Sequence, residues 1–414
     1  MPSNAAMPSN LNVNFKNHAE GFEQLYAKQI AGDNGLRFPL EDVYKLDWQR
    51  GVNADEYYNY MYRRFSSHIY DNAALEDGQK ILILGCGGGS DEKNIKHLYP
   101  NTQLWSIDIS YEMIARAIAS KSPSQFAQAV AELLPFPDAC FDRIISREVI
   151  EHVAKPDVMM QEVQRVLKPG GLAVITTENE ESYALNNDKY ESMMVIVTKC
   201  LPFLKKYRTR PGNYKDEAPS LAEFKHYCED ANLTLTQYFW DGALYKSLPV
   251  FQHLLGPLRL ARLAHFVSGI ENNARLAFML CDQVKYIVKK PQSDEVVNEV
   301  AYTMPGSSEA VVRVDDGYCS QDGATTFRVN NGIANFIPVV DETETPQSTP
   351  TAAKQARPYY RLFAWCKTKA RFIYRALLLV VAFFGLAFCR SNKKQVSKFV
   401  QSDFLKSIIV KNVS

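Results

Sequence analysis

The stretch ILILGCGGGSDEKNI, residues 81–95, restricts the fold more than any other part of the chain. Ile81–Leu84 make a short apolar strand, and DEKNIKHLY (91–99) reads as a helix stopped by Pro100. Between them, Gly85, Gly87, Gly88 and Gly89 leave no Cβ where backbone turns sharply or approaches another group. These residues alone leave two readings open: a cradle for a nucleotide, or a bare strand-to-helix turn.

The following segments keep the alternation. QLWSIDI (103–109) reads as a strand, YEMIARAIAS (111–120) as a helix and FDRIIS (141–146) as a strand. KPDVMMQEVQRVL (155–167) reads as a helix ended by KPGG, and LAVITT (172–177) as the next strand. Strands alternating with helices predict a parallel sheet covered on both faces. Further on, SLAEFKHYCEDANL (220–233) carries a Ser cap with Glu three residues later, the signature of a helix start. LTLTQYFW (233–240) and CDQVKYIVKK (281–290) read as late strands. Asp108 ends the second strand, where a carboxylate can accept both hydroxyls of a ribose. The nicotinamide fingerprint GxGxxG/A is incomplete, because its last small position is Ser90.

GCGGG, Asp108, ELLPFPDACFDRIISREVIEHV (132–153) and EVQRVLKPGGLAVITT (162–177), in this order and spacing, resemble class I S-adenosylmethionine-dependent methyltransferases. The pattern is similar to the broad group that includes the ubiquinone/menaquinone methyltransferases. The resemblance covers residues 78–180 well and 220–290 loosely. It implies an α/β fold with a Rossmann-like seven-stranded sheet and helices on both faces, and S-adenosylmethionine as cofactor. By resemblance, Gly85, Cys86, Gly87 and Gly89 pass under the amino-acid and ribose parts, and Asp108 holds the ribose. Ile109 lies against the adenine, Ala131 and Glu132 line its edge, and Arg147 and Glu148 face the methionine portion and the acceptor. Two positions depart from the pattern. Ile83 stands where an acid is usual two residues before the first glycine, and Val130 where an acid often precedes the adenine edge.

Transfer from a sulfonium requires placement of the acceptor and exclusion of water, so no fixed catalytic residue is implied. His152 is the candidate general base, with a packing role as the alternative. Cys86 is expected to pack rather than react. The implied activity is methylation of a small or lipid-like acceptor at a membrane surface. The alternatives are a non-catalytic binding or scaffold protein, which Ile83 and Val130 motivate, and a nucleic-acid methyltransferase.

The remaining chain divides by composition. Residues 1–77 form an N-terminal helical region whose first 20 residues are polar and loose. The methyltransferase domain spans 78–290, with a cofactor half (78–180) and a lid and acceptor half (181–290). Helical insertions at 183–220 and 241–275 are the candidate acceptor cover. A small β-rich appendage occupies 300–340, and DETETPQSTPT (341–351) is a linker. GYCSQDGATTFRVNNGIANFIP (317–338) is similar to the last part of small zinc-ribbon-like domains that accompany some methyltransferases. Only Cys319 is present there, so no metal is expected.

The helical tail 352–414 is set apart by charge. From Thr351 onward there are thirteen Lys/Arg and one acid, Asp403, giving +12 in a chain of net charge +1. At its centre lies ALLLVVAFFGLAFC (376–389), or 18 residues counted from Phe372. A span needs about 20 apolar residues, so 372–389 is borderline, and an apolar run inside a basic tail suits an interfacial anchor on an anionic leaflet. Phosphate binders interleave basic and polar residues instead, which disfavours nucleic acid. Eight scattered cysteines without a CxxC pair, and a polar N-terminus, predict a reduced, cytoplasmic, membrane-associated protein.

Overall fold

The structure, a computed structural model, describes residues 13–30, 68–179, 218–243, 277 and 281–338. All belong to the first of two compact units, residues 1–341. The expected lid segments (almost entirely), the linker and the basic tail lie outside the described residues.

The elements run α1 (Phe15–Ile30), β1 (Lys80–Leu84), α2 (Ser90–Leu98), β2 (Gln103–Asp108), α3 (Tyr111–Ala119), β3 (Gln125–Gln128), β4 (Phe141–Arg147), α4 (Pro156–Val166) and β5 (Leu167–Glu178). Then come α5 (Leu221–Asp230), β6 (Thr234–Ala243), β7 (Cys281–Lys289), β8 (Val312–Val314), β9 (Gly317–Cys319), β10 (Thr326–Asn330) and β11 (Ile333–Asn335). The strands form one sheet in the order β6-β7-β5-β4-β1-β2-β3-β11-β10-β9-β8. The strands from β1 to β5 pair in parallel, and β7 runs antiparallel between β5 and β6.

Apolar side chains cover both sheet faces. Leu82, Leu84, Ile144 and Ile175 pack with Met159 and Val163 of α4 and Phe224 of α5. Ile81, Ile83, Ile145 and Val174 pack with Ile95 of α2 and Ile114 of α3. Burial on both faces is why β1 reads as an unbroken apolar run rather than an alternation. The predicted cap of α5 is present as a capping box, with the Ser220 hydroxyl accepting from the Glu223 N–H.

Three expectations change. The seven-stranded sheet has eleven strands: β11 pairs in parallel with β3, at Ala334–Ala127 and Asn335–Gln128, and β8–β10 extend from it. The residues expected as an appendage thus continue the main sheet, and Phe327 and Phe336 join its core. Strand β3 was not anticipated, because four residues are too short to show a period. The N-terminus is not loose from Phe15 on. The Asn14 side chain caps the Asn17 N–H at 3.0 Å, and Phe15, Ala19 and Phe22 form a buried stripe at helical spacing.

If β8–β11 share the core, Phe336→Ala should destabilise the whole unit by about 3–5 kcal/mol in one cooperative urea transition. A separate low-stability transition, with the main one unmoved, would show an independent appendage.

Candidate functional site

Strand order reverses at β1, which has β2 on one side and β4 on the other. The crevice beyond the carboxyl ends at such a switch point is where open α/β sheets bind ligands. The carboxyl ends of β1, β2, β3 and β4, with the loops that follow them, carry the candidate cofactor-binding residues and His152.

The glycine turn is built against β2. The Gly85 and Cys86 N–H groups donate to the Ile107 carbonyl at 2.9 and 3.0 Å. Gly87 donates to Asp108 Oδ2 at 2.8 Å, and Ser110 N–H donates to Oδ1 at 2.9 Å. The acid of the second strand therefore locks the first turn in place. Gly85, Gly87 and Gly89 all have left-handed φ angles, of 69°, 50° and 78°. A Cβ on Gly85 would lie 2.3 Å from Val149, and one on Gly89 would lie 2.5 Å from Ser122. Close approach within the protein is thus sufficient to require glycine at both positions.

Burial shapes the electrostatics beneath the turn. Asp108 is 5% exposed, and loss of water pushes its pKa up to about 6. Glu92 of α2 is fully buried and is pushed up to about 8 by the same cause. Its Oε1 accepts from the Ser106 hydroxyl at 2.7 Å, while Oε2 has no partner among the described residues. Burial also raises the Cys86 thiol, which fits a packing residue rather than a nucleophile. Ile83 is 2% exposed within the apolar cluster, where an unpaired carboxylate would be costly.

After β4, Arg147 donates to Asp91 Oδ1 at 2.5 Å, and the Tyr70 hydroxyl donates to the same oxygen. Glu148 has a left-handed φ of 52°, unusual without glycine. Its N–H donates to the Thr176 carbonyl and its Oε1 accepts from the Thr176 hydroxyl, each at 3.0 Å. After β3, Ala131 is buried, while the Glu132 carboxylate accepts from the Ala154 and Lys155 N–H groups before α4. The Glu132 side chain therefore holds the start of α4.

Helix α1 packs on these loops through residues that carry no motif. Glu23 accepts from the Ser110 hydroxyl at 2.9 Å and from the Tyr111 N–H at 2.5 Å. His18 Nε2 lies 2.9 Å from the His152 carbonyl, and Phe22 meets the His152 ring edge-on. Phe15 and Ala19 pack with Val130, Leu133, Val158 and Ile337, and Ile109 lies against them. Val130 is 2% exposed there, so its apolar character follows from that cover. The Phe15-Ala19-Phe22 spacing was the signal that could have revealed α1.

Two cavities lie elsewhere: about 730 Å³ beside α5 and β6, and about 390 Å³ between Phe126, Tyr302 and Tyr318. Among the described residues no cluster of His, Cys, Asp or Glu could hold a metal ion, and no helix is long and apolar enough to cross a membrane.

Residues 82–175 match a family described as a methyltransferase domain. The fatty-acid O-methyltransferase of Mycolicibacterium smegmatis is 28% identical over 171 residues, which cover 40% of this chain and 61% of that protein. The ubiquinone/menaquinone biosynthesis C-methyltransferase UbiE of Shewanella frigidimarina is 30% identical over 138 residues, covering 32% and 55%. Among solved structures, phosphoethanolamine N-methyltransferase 2 of Haemonchus contortus in complex with S-adenosyl-L-methionine superposes with a TM-score of 0.40 at 18% identity, covering 55% of this chain and 53% of that one. The chain spans at most 61% of the length of the two curated relatives named here.

The buried Glu92 carboxyl makes a stability prediction. Its folded pKa, about 8, exceeds its ordinary 4.5, so the folded state keeps a proton that the unfolded state loses. Its contribution is fully present below about pH 4.5 and is lost as pH rises through about 8. Glu92→Gln should flatten the fall in stability between pH 5 and 8 measured by urea denaturation. An unchanged slope would show that Glu92 does not titrate in that window.

Proposed function

Since residues 82–175 form a class I S-adenosylmethionine-dependent methyltransferase domain, we propose that the chain transfers the cofactor's methyl group to a small or lipid-like acceptor. The observation that carries this reading is the Asp108 carboxylate, which joins the glycine turn to the end of β2 through Gly87 and Ser110. An ionised carboxylate offers about four lone-pair positions, more than its backbone donors Gly87, Ser110 and Ile109 fill, which leaves capacity for a ribose hydroxyl. That free capacity suits a polar cofactor at the strand ends.

When bound, S-adenosylmethionine supplies a methyl group already activated on a sulfonium. The chain's residues bind, orient and exclude water. In this reading, Gly85, Cys86, Gly87 and Gly89 present backbone to the amino-acid and ribose parts. Ile109 and Ala131 form the adenine surface, with the Glu132 main chain at its edge. Arg147, fixed by Asp91, and Glu148, held by Thr176, face the methionine portion and the acceptor. His152 is the candidate base for an acceptor that must lose a proton. The relatives' names, a fatty-acid O-methyltransferase and a ubiquinone/menaquinone biosynthesis C-methyltransferase, support a small or lipid-like acceptor. The tail 352–414, with its apolar run and charge of +12, supports work at an anionic membrane surface.

Calorimetric titration with S-adenosylmethionine tests the first step, and absence of binding at millimolar cofactor would refute it. Asp108→Asn should weaken binding about tenfold or more, and wild-type affinity should fall as pH drops below about 6, where Asp108 gains a proton. His152→Gln should lower kcat at least about a hundredfold with affinity retained if His152 is the base. A small loss of kcat with lower stability would assign it to packing. Removing 352–414 should release the protein from sedimenting anionic vesicles, and equal sedimentation of both forms would exclude the tail as anchor.

A further inference from the structure

Residues 129–140 have no helix or strand of their own. Yet Val130, Glu132, Leu133, Leu134, Phe136 and Ala139 are each at most 3% exposed. Irregular chain normally runs over the surface, because buried backbone polar groups need partners. Here many of the partners come from one distant segment, residues 298–336.

The Phe336 N–H donates to the Gln128 carbonyl at 2.8 Å, Gly306 to Leu134 at 3.1 Å, Thr303 to Pro135 at 3.1 Å and Asn298 to Ala139 at 3.2 Å. The Asn298 side chain donates to the Asp138 carbonyl at 2.8 Å. The Ser308 hydroxyl donates to the Asp138 carboxylate at 2.6 Å and accepts from its N–H at 2.7 Å. Arg165 adds a shared anchor, donating to the Leu134 and Phe136 carbonyls and, at 3.4 Å, to that of Ser307. Apolar contacts follow the same line. Met304 and Phe336 join Leu134 and Phe136 in the core, and Ile337 packs on Val130 and Leu133. A Cβ on Gly306 would come within 2.7 Å of Leu133, so the two segments meet without slack.

We propose that residues 298–338 are a positioning element for the cofactor, holding the 129–139 segment and its adenine-edge residues Ala131 and Glu132 in binding geometry. This rests on the methyltransferase reading. The hydrogen bonds run along the loop that follows β3, and the β11–β3 pairing fixes where that loop begins. Without this partner, β3 would be an open edge and the loop a solvated excursion. Preorganising a binding loop raises affinity by removing the entropy cost of ordering it.

The test uses the full chain carrying Asn298→Ala with Ser308→Ala, which removes the bonds these two side chains make to Asp138 at a largely solvated margin and leaves the Arg165–Asp138 bond in place. Calorimetry with S-adenosylmethionine, hydrogen exchange and melting temperature are measured together. The expected result is a Kd about tenfold higher, faster exchange confined to amides 129–139, and a melting temperature within about 2 °C of wild type. Ser308→Thr, which keeps the hydroxyl, should restore most of the affinity when combined with native Asn298. Equal affinity in the double variant and wild type would overturn the proposal and leave the methyltransferase reading intact. Weaker binding with a large drop in melting temperature and exchange raised throughout would also overturn it, in favour of a purely structural role. Failure of the wild type to bind would remove the methyltransferase reading, and this inference with it.

Discussion

The arrangement of the crevice depends on one buried carboxylate. Asp108 accepts the Gly87 N–H from one loop and the Ser110 N–H from the next, and both loops are fixed relative to each other by it. The cost is desolvation, visible in a pKa raised to about 6. Two charge-assisted hydrogen bonds offset part of that cost. A second acid, Glu23 of α1, accepts from Ser110 and Tyr111 at the start of α3 and adds its charge to the same neighbourhood. The crevice therefore brings two carboxylates close to the glycine turn and the start of α3.

Around this point the protein covers its irregular segments from two sides. Helix α1 lays Phe15 and Ala19 on Val130 and Leu133. The β8–β11 region extends the sheet beyond β3, and residues 298–308, which precede it, tie down Leu134–Ala139. Ile337 and Phe15 meet in the same apolar cluster, so the two covers share contacts with one loop. That common burial gives a reason for the two departures from the family pattern. Val130 and Ile83 lie where a carboxylate would have neither water nor a described partner, so apolar side chains are the cheaper choice.

Much of the fold was legible because local signals and burial agree in the α/β core. The apolar run of β1, the Ser220 cap, and Pro100 after α2 each mark an element whose boundaries match to within a few residues. LAVITT is preceded in β5 by KPGG, which bulges out between the Phe141–Leu167 and Arg143–Leu172 pairs with β4. β3 is too short to carry a period, and the partner of β11 is some two hundred residues away in sequence. Neither could be read locally.

The sequence by itself determined the alternation of strands and helices, the glycine turn, and the order of motif residues that points to the methyltransferase domain, because these are encoded by near neighbours. Only the tertiary structure decided what those residues touch. It tied the Glu132 carboxylate to the start of α4, gave Gly85 and Gly89 an internal reason to be glycine, and placed α1 and residues 298–338 against the 129–139 segment. The physical reason is that burial and hydrogen-bond satisfaction are collective: which groups lose water depends on segments that meet only when the chain is folded.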